Sequence, residues 1–240
     1  QPYTWSTSAP THVRLQKEEP IKLTIKCLCS HIIDKIDRVF TLRSSMKQEN
    51  FAAEALFTEG RSHTQWLPKP VPEEMLRKLY ELAKWGPTSM NCQPMRLRFV
   101  VTPQAKKDLV ECLYEGNRSK SESAPVIAIV GYDQAFPSAL PRLFPHKADA
   151  QSYYEGKPDL VESTALRNSS LQGAYLLMAA RALGLDCGPM SGFDAPAVDR
   201  AFWTGTSVRT NFLCNIGFGN HSLIKPRGPR LAFDEVCSIL

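Results

Sequence analysis

The chain has 240 residues, of which 43% are hydrophobic and 22% are charged, a composition typical of a globular protein with room for one catalytic domain. Its formal net charge of +5 is uneven, because residues 1–45 hold seven Lys/Arg and four Asp/Glu, whereas the remainder holds 22 and 20. No basic stripe of the kind that binds nucleic acid is visible, and no apolar run approaches the roughly 18 residues that span a membrane. Nucleic-acid and membrane partners are therefore not expected.

The first 45 residues differ from the rest of the chain. They show no clean helical or strand period, and no small-residue cleavage site follows an apolar segment, so they make a poor signal peptide. Met46 is the first methionine, and the regular pattern starts just after it. We therefore expect residues 1–45 to be a non-native or disordered N-terminal extension and residues 46–240 to form the functional domain.

The seven cysteines are scattered, form no Cys-x-x-Cys pair and lie in several cases within apolar runs. This distribution is typical of buried thiols in a reducing compartment, so we expect a cytoplasmic protein without a disulfide framework. Only Cys92 lies in a loop that has other features of interest.

In chain order, the first half of the domain alternates helix and strand patterns. Apolar spacing predicts helices over residues 49–61, 72–85 and 103–116. Residues 95–102 are predicted to form a strand, and the continuous apolar run at 124–132 predicts a strand that is buried on both faces.

The second half contains the longest predicted helix, over residues 162–185. Its apolar residues fall on one stripe, and its many small residues permit close approach of another element or another subunit. That stripe consists of Leu171, Tyr175, Met178 and Ala182. Residues 132–158 before it are predicted to be irregular, and a short helix at 196–203 and a strand at 211–219 follow it. Interleaved helices and strands predict an α+β or α/β fold with helices packed on a central sheet.

The segment GPTSMNCQP, residues 86–94, is unusually polar for a connection between a helix and a strand. Two prolines bracket the hydrogen-bonding side chains of Thr88, Ser89, Asn91 and Gln93. One interpretation is a turn in which these side chains satisfy backbone groups. The other is a polar rim that hydrogen-bonds a planar ligand rich in heteroatoms. The segment by itself leaves both open.

Two basic segments are candidate phosphate sites. In RSHTQW, residues 61–66, the planar donor fork of an arginine stands next to two hydroxyl side chains. In IKPRGPR, residues 224–230, three basic side chains are held in an extended segment by prolines. A solvated loop and an exposed basic tail are the alternative interpretations.

Two other kinds of site find no support in the sequence. GFGNHS, residues 217–222, has only two glycines of a dinucleotide fingerprint and is followed by prolines instead of a helix. The five histidines, at positions 12, 31, 63, 146 and 221, show no ligand spacing, so no metal site is expected.

In their order along the chain, these segments resemble the nitroreductase family of FMN-dependent oxidoreductases, from about residue 50 to residue 240. The matching motifs are Arg-Ser-x-Thr at 61–64, G-P-T-S-x-N-x-Q-P at 86–94, Gly-Asn at 116–117, C-G-P-M-S-G-F-D at 187–194 and K-P-R at 225–227. The family commonly shows A-P-S-x-x-N-x-Q-P-W at the second motif, from which Gly86, Thr88 and Met95 depart.

The resemblance implies a nitroreductase-like α+β fold, with a central, mostly antiparallel sheet flanked by helices. It also implies an intertwined homodimer with FMN at the subunit interface, in which the loop at 86–94 comes from the partner subunit. NAD(P)H is the implied co-substrate. The residues that the resemblance places at FMN are Arg61, Ser62, Thr64, Pro87, Thr88, Ser89, Asn91, Asn117, Pro189, Met190, Ser191, Gly192, Lys225 and Arg227.

No catalytic side chain is implied, because flavin N5 carries the chemistry. Where many relatives carry Glu, this chain has Ser191, so no carboxylate is expected near N5. The irregular segment at 132–158 is the candidate substrate lid, in which Arg142 or His146 would meet a substrate carboxylate unless each is simply a solvated surface residue.

The finer motif pattern resembles a subgroup that reduces malonic semialdehyde (3-oxopropanoate) to 3-hydroxypropanoate in pyrimidine degradation. This implies a ping-pong reaction in which NAD(P)H and the aldehyde use the flavin in turn. A broad nitroaromatic or quinone reductase on the same scaffold is the first alternative. A flavin-binding protein without enzymatic activity is the second.

Overall fold

The computed structural model describes residues 53–240. The predicted extension at 1–45 and Met46 lie outside the described residues, as does the start of the first predicted helix. The described part of that helix is a π-helical turn, Glu54–Thr58. The helices are α1 (Glu73–Ala83), α2 (Pro103–Glu111), α3 (Glu115–Glu122), α4 (Leu140–Leu143), α5 (Pro158–Ala182), α6 (Ala195–Phe202) and α7 (Phe233–Val236). No helix between residues 53 and 240 is both long enough and apolar enough to cross a membrane.

The sheet has four strands in the order β1-β2-β4-β3, and every neighbouring pair is antiparallel, which confirms the predicted α+β class. The strands are β1 (Met95–Val100), β2 (Val126–Asp133), β3 (Asp186–Met190) and β4 (Val208–Gly217). Strand β2 is buried on both faces as predicted, because Ala128 and Val130 pack in the core with α1 and α5, whereas Ile127 and Ile129 pack in the core with α2 and α6.

Helix α5 lies close against the sheet through small and polar residues. A Cβ atom added at Gly173 would lie 2.6 Å from the ring of Phe212, so the absence of a side chain permits this approach. Buried Gln172 accepts a 3.0 Å hydrogen bond from the amide of Met95, where β1 begins. On the outer face of α5, Leu171 and Tyr175 are 48% and 43% exposed, so the predicted apolar stripe faces away from this chain's core.

The single predicted helix at 103–116 is wrong, because the structure contains two helices there. Leu113 is buried and forms a bridge with Phe193, and Tyr114 takes an extended conformation with ψ of 150°. Gly116 and Asn117 therefore lie in the first turn of α3 instead of closing the preceding helix.

Strand β3 was not predicted, because its sequence DCGPM contains glycine and proline. Proline lacks an N–H donor and is tolerated in strands at sheet edges, and β3 is the edge strand of this sheet. Beyond it, the chain at Ser62 forms an isolated parallel bridge with Cys187.

Candidate functional site

The two predicted basic segments lie next to each other. The guanidinium of Arg61 donates a hydrogen bond to the carbonyl of Lys225, and Arg227 donates to the carbonyl of Gly60 at 3.0 Å. Residues 164 and 167 positions apart in sequence are therefore brought together, and three of the predicted phosphate ligands lie at this place.

A fourth basic residue, Arg181, joins this group from the last turn of α5. Its Nη1 donates to the carbonyl of Leu56 at 2.6 Å, while its buried Nε has no hydrogen-bond partner among residues 53–240. Arg181 could not be predicted from sequence, where it is only a basic residue near the end of the predicted helix. A cavity of about 360 Å³ is lined by Phe57, Gly60, Arg61, Ser62, Arg181, Arg227, Gly228 and Arg230.

This arginine cavity suits an anion. Four of its lining residues are arginines and none is acidic. A buried donor without a partner costs free energy, on the order of 1–3 kcal/mol, unless a ligand or water satisfies it. A phosphate group carries the opposite charge, and its oxygens can accept a hydrogen bond from the unpartnered Arg181 Nε.

Residues 61–63 run along the edge of β3, and the chain then bends at Thr64 and Gln65. The amide of His63 donates to the carbonyl of Cys187 at 2.9 Å, and the indole of Trp66 donates to the carbonyl of Lys120 in α3 at 2.9 Å. Ser62 and Thr64 are exposed, whereas His63 between them is buried. Two hydroxyl groups thus face solvent beside the arginine cavity.

Asn117 and the segment after β3, which the resemblance places at the flavin ring, are in contact. The side-chain amide of Asn117 donates to the carbonyl of Gly192 at 2.7 Å. A Cβ atom at Gly192 would lie 2.4 Å from Asn117 Nδ2, so this contact requires glycine. Pro189 and Ser191 are exposed, but the side chain of Met190 is buried in the core, which leaves only its backbone for a ligand.

Burial shifts the pKa values of two groups in this region. It lowers the pKa of His63, against the opposing effect of the Asp186 carboxylate, and it lowers the pKa of Lys120 in α3. Both shifts have the sign expected when a cationic form loses water.

The polar loop at 86–94 lies elsewhere in the same chain. Its Ser89 amide donates to Asn168 Oδ1 in α5 at 2.8 Å, and its Asn91 side chain donates to the carbonyl of Leu143 at 2.8 Å. Met90, Asn91 and Gln93 have positive φ values of 53°, 49° and 39°. Non-glycine residues rarely adopt this region, and such strain is most often found at functional sites.

Helix α5 separates the loop from the arginine cavity. Asn168 and Arg181 are 13 residues apart in this helix, which corresponds to about 20 Å at 1.5 Å per residue. Arg142 and His146 are both exposed and belong with the loop, because α4 ends at Leu143, the residue that Asn91 contacts. The predicted site residues therefore form two groups in one chain instead of a single cluster.

Together, the residues at β3 and the arginine cavity suit an elongated ligand that ends in a phosphate.

The family model described as "Nitroreductase family" matches residues 59–219, so the chain belongs to the nitroreductase family. A "Putative NADH dehydrogenase/NAD(P)H nitroreductase" of Leptothrix cholodnii is 50% identical over 192 residues, which are 80% of this chain and 98% of that protein.

Two solved structures support the fold assignment. The "putative nitroreductase ydfN" of Bacillus subtilis has a TM-score of 0.74 at 24% identity and covers 80% of this chain and 100% of its own. A "putative nitroreductase in complex with FMN" from Exiguobacterium sibiricum has a TM-score of 0.71 at 20% identity, covering 77% and 95%. The nitroreductase-like fold predicted from the motif order is confirmed.

Cys92 provides a test of how tightly the polar loop is held. Burial raises the pKa of Cys92 to about 11, so about one molecule in a thousand carries the reactive thiolate at pH 8. We expect iodoacetamide at pH 8 to modify exposed Cys237 and to spare Cys92 in the native protein, as measured by peptide mass spectrometry. Both should react in urea. Equal modification of the two in the native protein would show that the loop opens freely.

Proposed function

We propose that this protein is an FMN-dependent oxidoreductase that uses NAD(P)H. The observation that carries the proposal is the arginine cavity, in which the buried Nε of Arg181 has no partner among the described residues and the lining contains four arginines and no acidic residue. An FMN phosphate would accept hydrogen bonds from the arginines of this cavity and neutralise their charge. The family membership and the FMN-bound structural relative support the same cofactor.

The chain's own residues would bind and orient the cofactor. Arg61, Arg181 and Arg227 would hold the phosphate, with Lys225 beside them, and the exposed hydroxyls of Ser62 and Thr64 would face the ribityl chain. Asn117 and the backbone of residues 189–192 would lie along the ring. Bound FMN would supply hydride transfer between NAD(P)H and an acceptor that use one site in turn.

We also propose that the polar loop completes the site of a second copy of this chain. In one chain the loop contacts α5 at Asn168, about 20 Å along the helix from Arg181 in the arginine cavity, which favours a role of Pro87, Thr88, Ser89 and Asn91 at the cofactor of a second chain. Trp85 at the start of the loop is 76% exposed, and Leu171 and Tyr175 on α5 are also exposed. A homodimer would bury this apolar surface and bring the loop of one chain to the cavity of the other.

For the acceptor we propose malonic semialdehyde, which would become 3-hydroxypropanoate. Arg142 and His146 lie on the segment that Asn91 anchors, so either could meet the substrate carboxylate beside the loop. A broad nitroaromatic or quinone reductase is the second candidate, favoured by the nitroreductase names of relatives such as the Leptothrix protein. The two candidates differ in one respect: the semialdehyde has a carboxylate that Arg142 or His146 would bind, whereas reduction of a nitroaromatic or a quinone does not require such a contact.

Replacing Arg181 by glutamine should weaken FMN binding about 10- to 100-fold, because one charge-assisted contact to phosphate contributes about 1.5–3 kcal/mol. Riboflavin, which lacks the phosphate, should bind the variant and the wild type equally. Fluorescence quenching of each flavin measures both affinities. Arg77→Gln, which removes an exposed arginine paired with Glu73, is the control and should change neither. Equal losses for FMN and riboflavin would assign Arg181 a structural role only.

The reaction itself is tested by the absorbance spectrum of the purified full chain. A yellow protein should bleach on anaerobic addition of NADPH, and the colour should return when malonic semialdehyde is added. A larger kcat/KM for the semialdehyde than for a nitroarene or a quinone would favour the first acceptor, and the reverse ratio would favour the second. Bound flavin that NADPH does not bleach would indicate a binding protein without this activity.

Mixing two defective variants tests the shared site. Arg61→Gln with Arg227→Gln should impair the arginine cavity, and Ser89→Ala with Asn91→Ala should impair the loop. When the two are co-expressed, about half of the dimers contain one copy of each, and one of their two sites is intact, so about a quarter of the FMN sites should return. A site built within one chain predicts no recovery.

A further inference from the structure

Three residues that are far apart in sequence converge behind the segment at 61–66. His63 Nε2 lies 3.2 Å from Asp186 Oδ1, and His221 Nε2 lies 3.2 Å from Asp186 Oδ2. One ligand atom from each of these residues lies within 4.8 Å of the others, and the two imidazole rings are 4.7 Å apart. Their separations in sequence are 123 and 35 residues, so the spacing of histidines along the chain contained no sign of this cluster.

His63, the buried residue of this cluster, has a ring nitrogen without a hydrogen-bond partner among the described residues. His63 is only 3% exposed, and its Nε2 has no hydrogen-bond partner among the described residues, because the nearby carboxylate lies outside hydrogen-bond geometry. Its other ring nitrogen, Nδ1, packs on the backbone of Gly219, where an added Cβ would lie 1.9 Å away. The ring is therefore held with Nε2 toward Asp186.

The carboxylate is also held in position. Asp186 begins β3, and its Oδ2 accepts a 2.9 Å hydrogen bond from the amide of Gly219. Such outer contacts orient metal ligands in known sites. The third residue, His221, is exposed and lies in a 3₁₀ turn, and its Nε2 forms a 3.2 Å hydrogen bond with Asp186 Oδ2, a contact that a bound cation would replace.

We propose that His63, Asp186 and His221 form a binding site for a divalent transition-metal cation of the zinc class. Two imidazole nitrogens and one carboxylate oxygen are a ligand set that such cations prefer, whereas Mg²⁺ and Ca²⁺ favour oxygen ligands. Ligand atoms about 2.0–2.2 Å from a tetrahedral zinc ion are separated by about 3.3–3.6 Å. The two 3.2 Å distances seen here run to different oxygens of Asp186, and the three ligand atoms lie within 4.8 Å of one another, so a bound ion would require a small shift of His221.

The proposed metal ligands are other side chains than those proposed to hold the cofactor. His63 lines the same pocket as Ser62 and Thr64, but its side chain is buried and theirs are exposed. A bound cation would link three parts of the chain: the segment at 61–66, the start of β3 and the turn at His221. The zinc site can therefore be tested on protein with or without flavin.

The proposal is tested by titrating the untagged full chain with Zn²⁺ and measuring binding by calorimetry. The visible spectrum of bound Co²⁺ is a second, separate measurement. Other histidines and cysteines in the sequence can also bind zinc, so the readout is the difference between variants. We expect the wild type to bind one more equivalent than His221→Ala or Asp186→Asn, or to bind that equivalent at least tenfold more tightly. Zn²⁺ should raise the Tm of the wild type and have less effect in either variant.

His146→Ala is the matched control for the removal of a histidine, since this exposed residue lies outside the cluster and its loss should leave the equivalent bound by the cluster unchanged. Because His221 is exposed, its replacement should preserve the fold, which the Tm in EDTA will verify. The proposal is overturned if wild type, His221→Ala and Asp186→Asn bind Zn²⁺ with the same stoichiometry and affinity. It is equally overturned if the Co²⁺ spectrum of the wild type matches that of the two cluster variants.

Discussion

Helix α5 packs closely on the sheet, and this contact positions both the polar loop and Arg181. The helix is 25 residues long, about 37 Å, and its buried face consists largely of small and polar residues. Gly173 permits close approach to Phe212, and Gln172 binds the amide at the start of β1. Because β1 is fixed at Met95, the polar loop that precedes it is also fixed. The opposite end of the same helix carries Arg181 to the arginine cavity.

The polar loop shows how this packing holds a conformation that the loop alone would not favour. Each of its three residues with positive φ costs about 1–2 kcal/mol relative to a relaxed conformation. Hydrogen bonds to Asn168 and Leu143, together with the bond from the Gln93 amide to Thr88 Oγ1, hold the loop in place. A loop held in this way loses little entropy on binding a ligand, which supports the proposed role at the flavin.

The local pattern of apolar residues was sufficient to predict some helices and strands and insufficient to predict others. Strand β2 was predicted because its side chains are apolar on both faces, and α1 because its apolar residues recur at helical spacing. Strand β3 could not be predicted from Gly188 and Pro189, since its place in the sheet comes from pairing with β4. The break between α2 and α3 is likewise tertiary, because Leu113 is withdrawn into the core beside Phe193.

The same distinction applies to the candidate site. The basic segments, Asn117 and Gly192 were predicted as members of a motif series, and the fold brings each pair into contact. Arg181 was missed, because its role depends on where the last turn of α5 lies and not on its sequence neighbours. Nothing in the residues themselves indicated that the polar loop and the arginine cavity lie apart in one chain. Only the family resemblance implied it, by assigning the loop to a partner subunit.

The segment at 61–64 connects the two proposed binding sites. Successive side chains of an extended chain point to opposite sides, so at the bridge with β3 Ser62 is exposed and His63 is buried; the chain bends at Thr64, which is also exposed. The bridge of Ser62 to Cys187 fixes this register against β3, which also carries Asp186. A shift of one residue would bury the Ser62 hydroxyl and expose the imidazole, and would disrupt both sites at once. The register of Ser62 and His63 at the sheet edge therefore sets the positions of a cofactor hydroxyl and of the metal ligand alike.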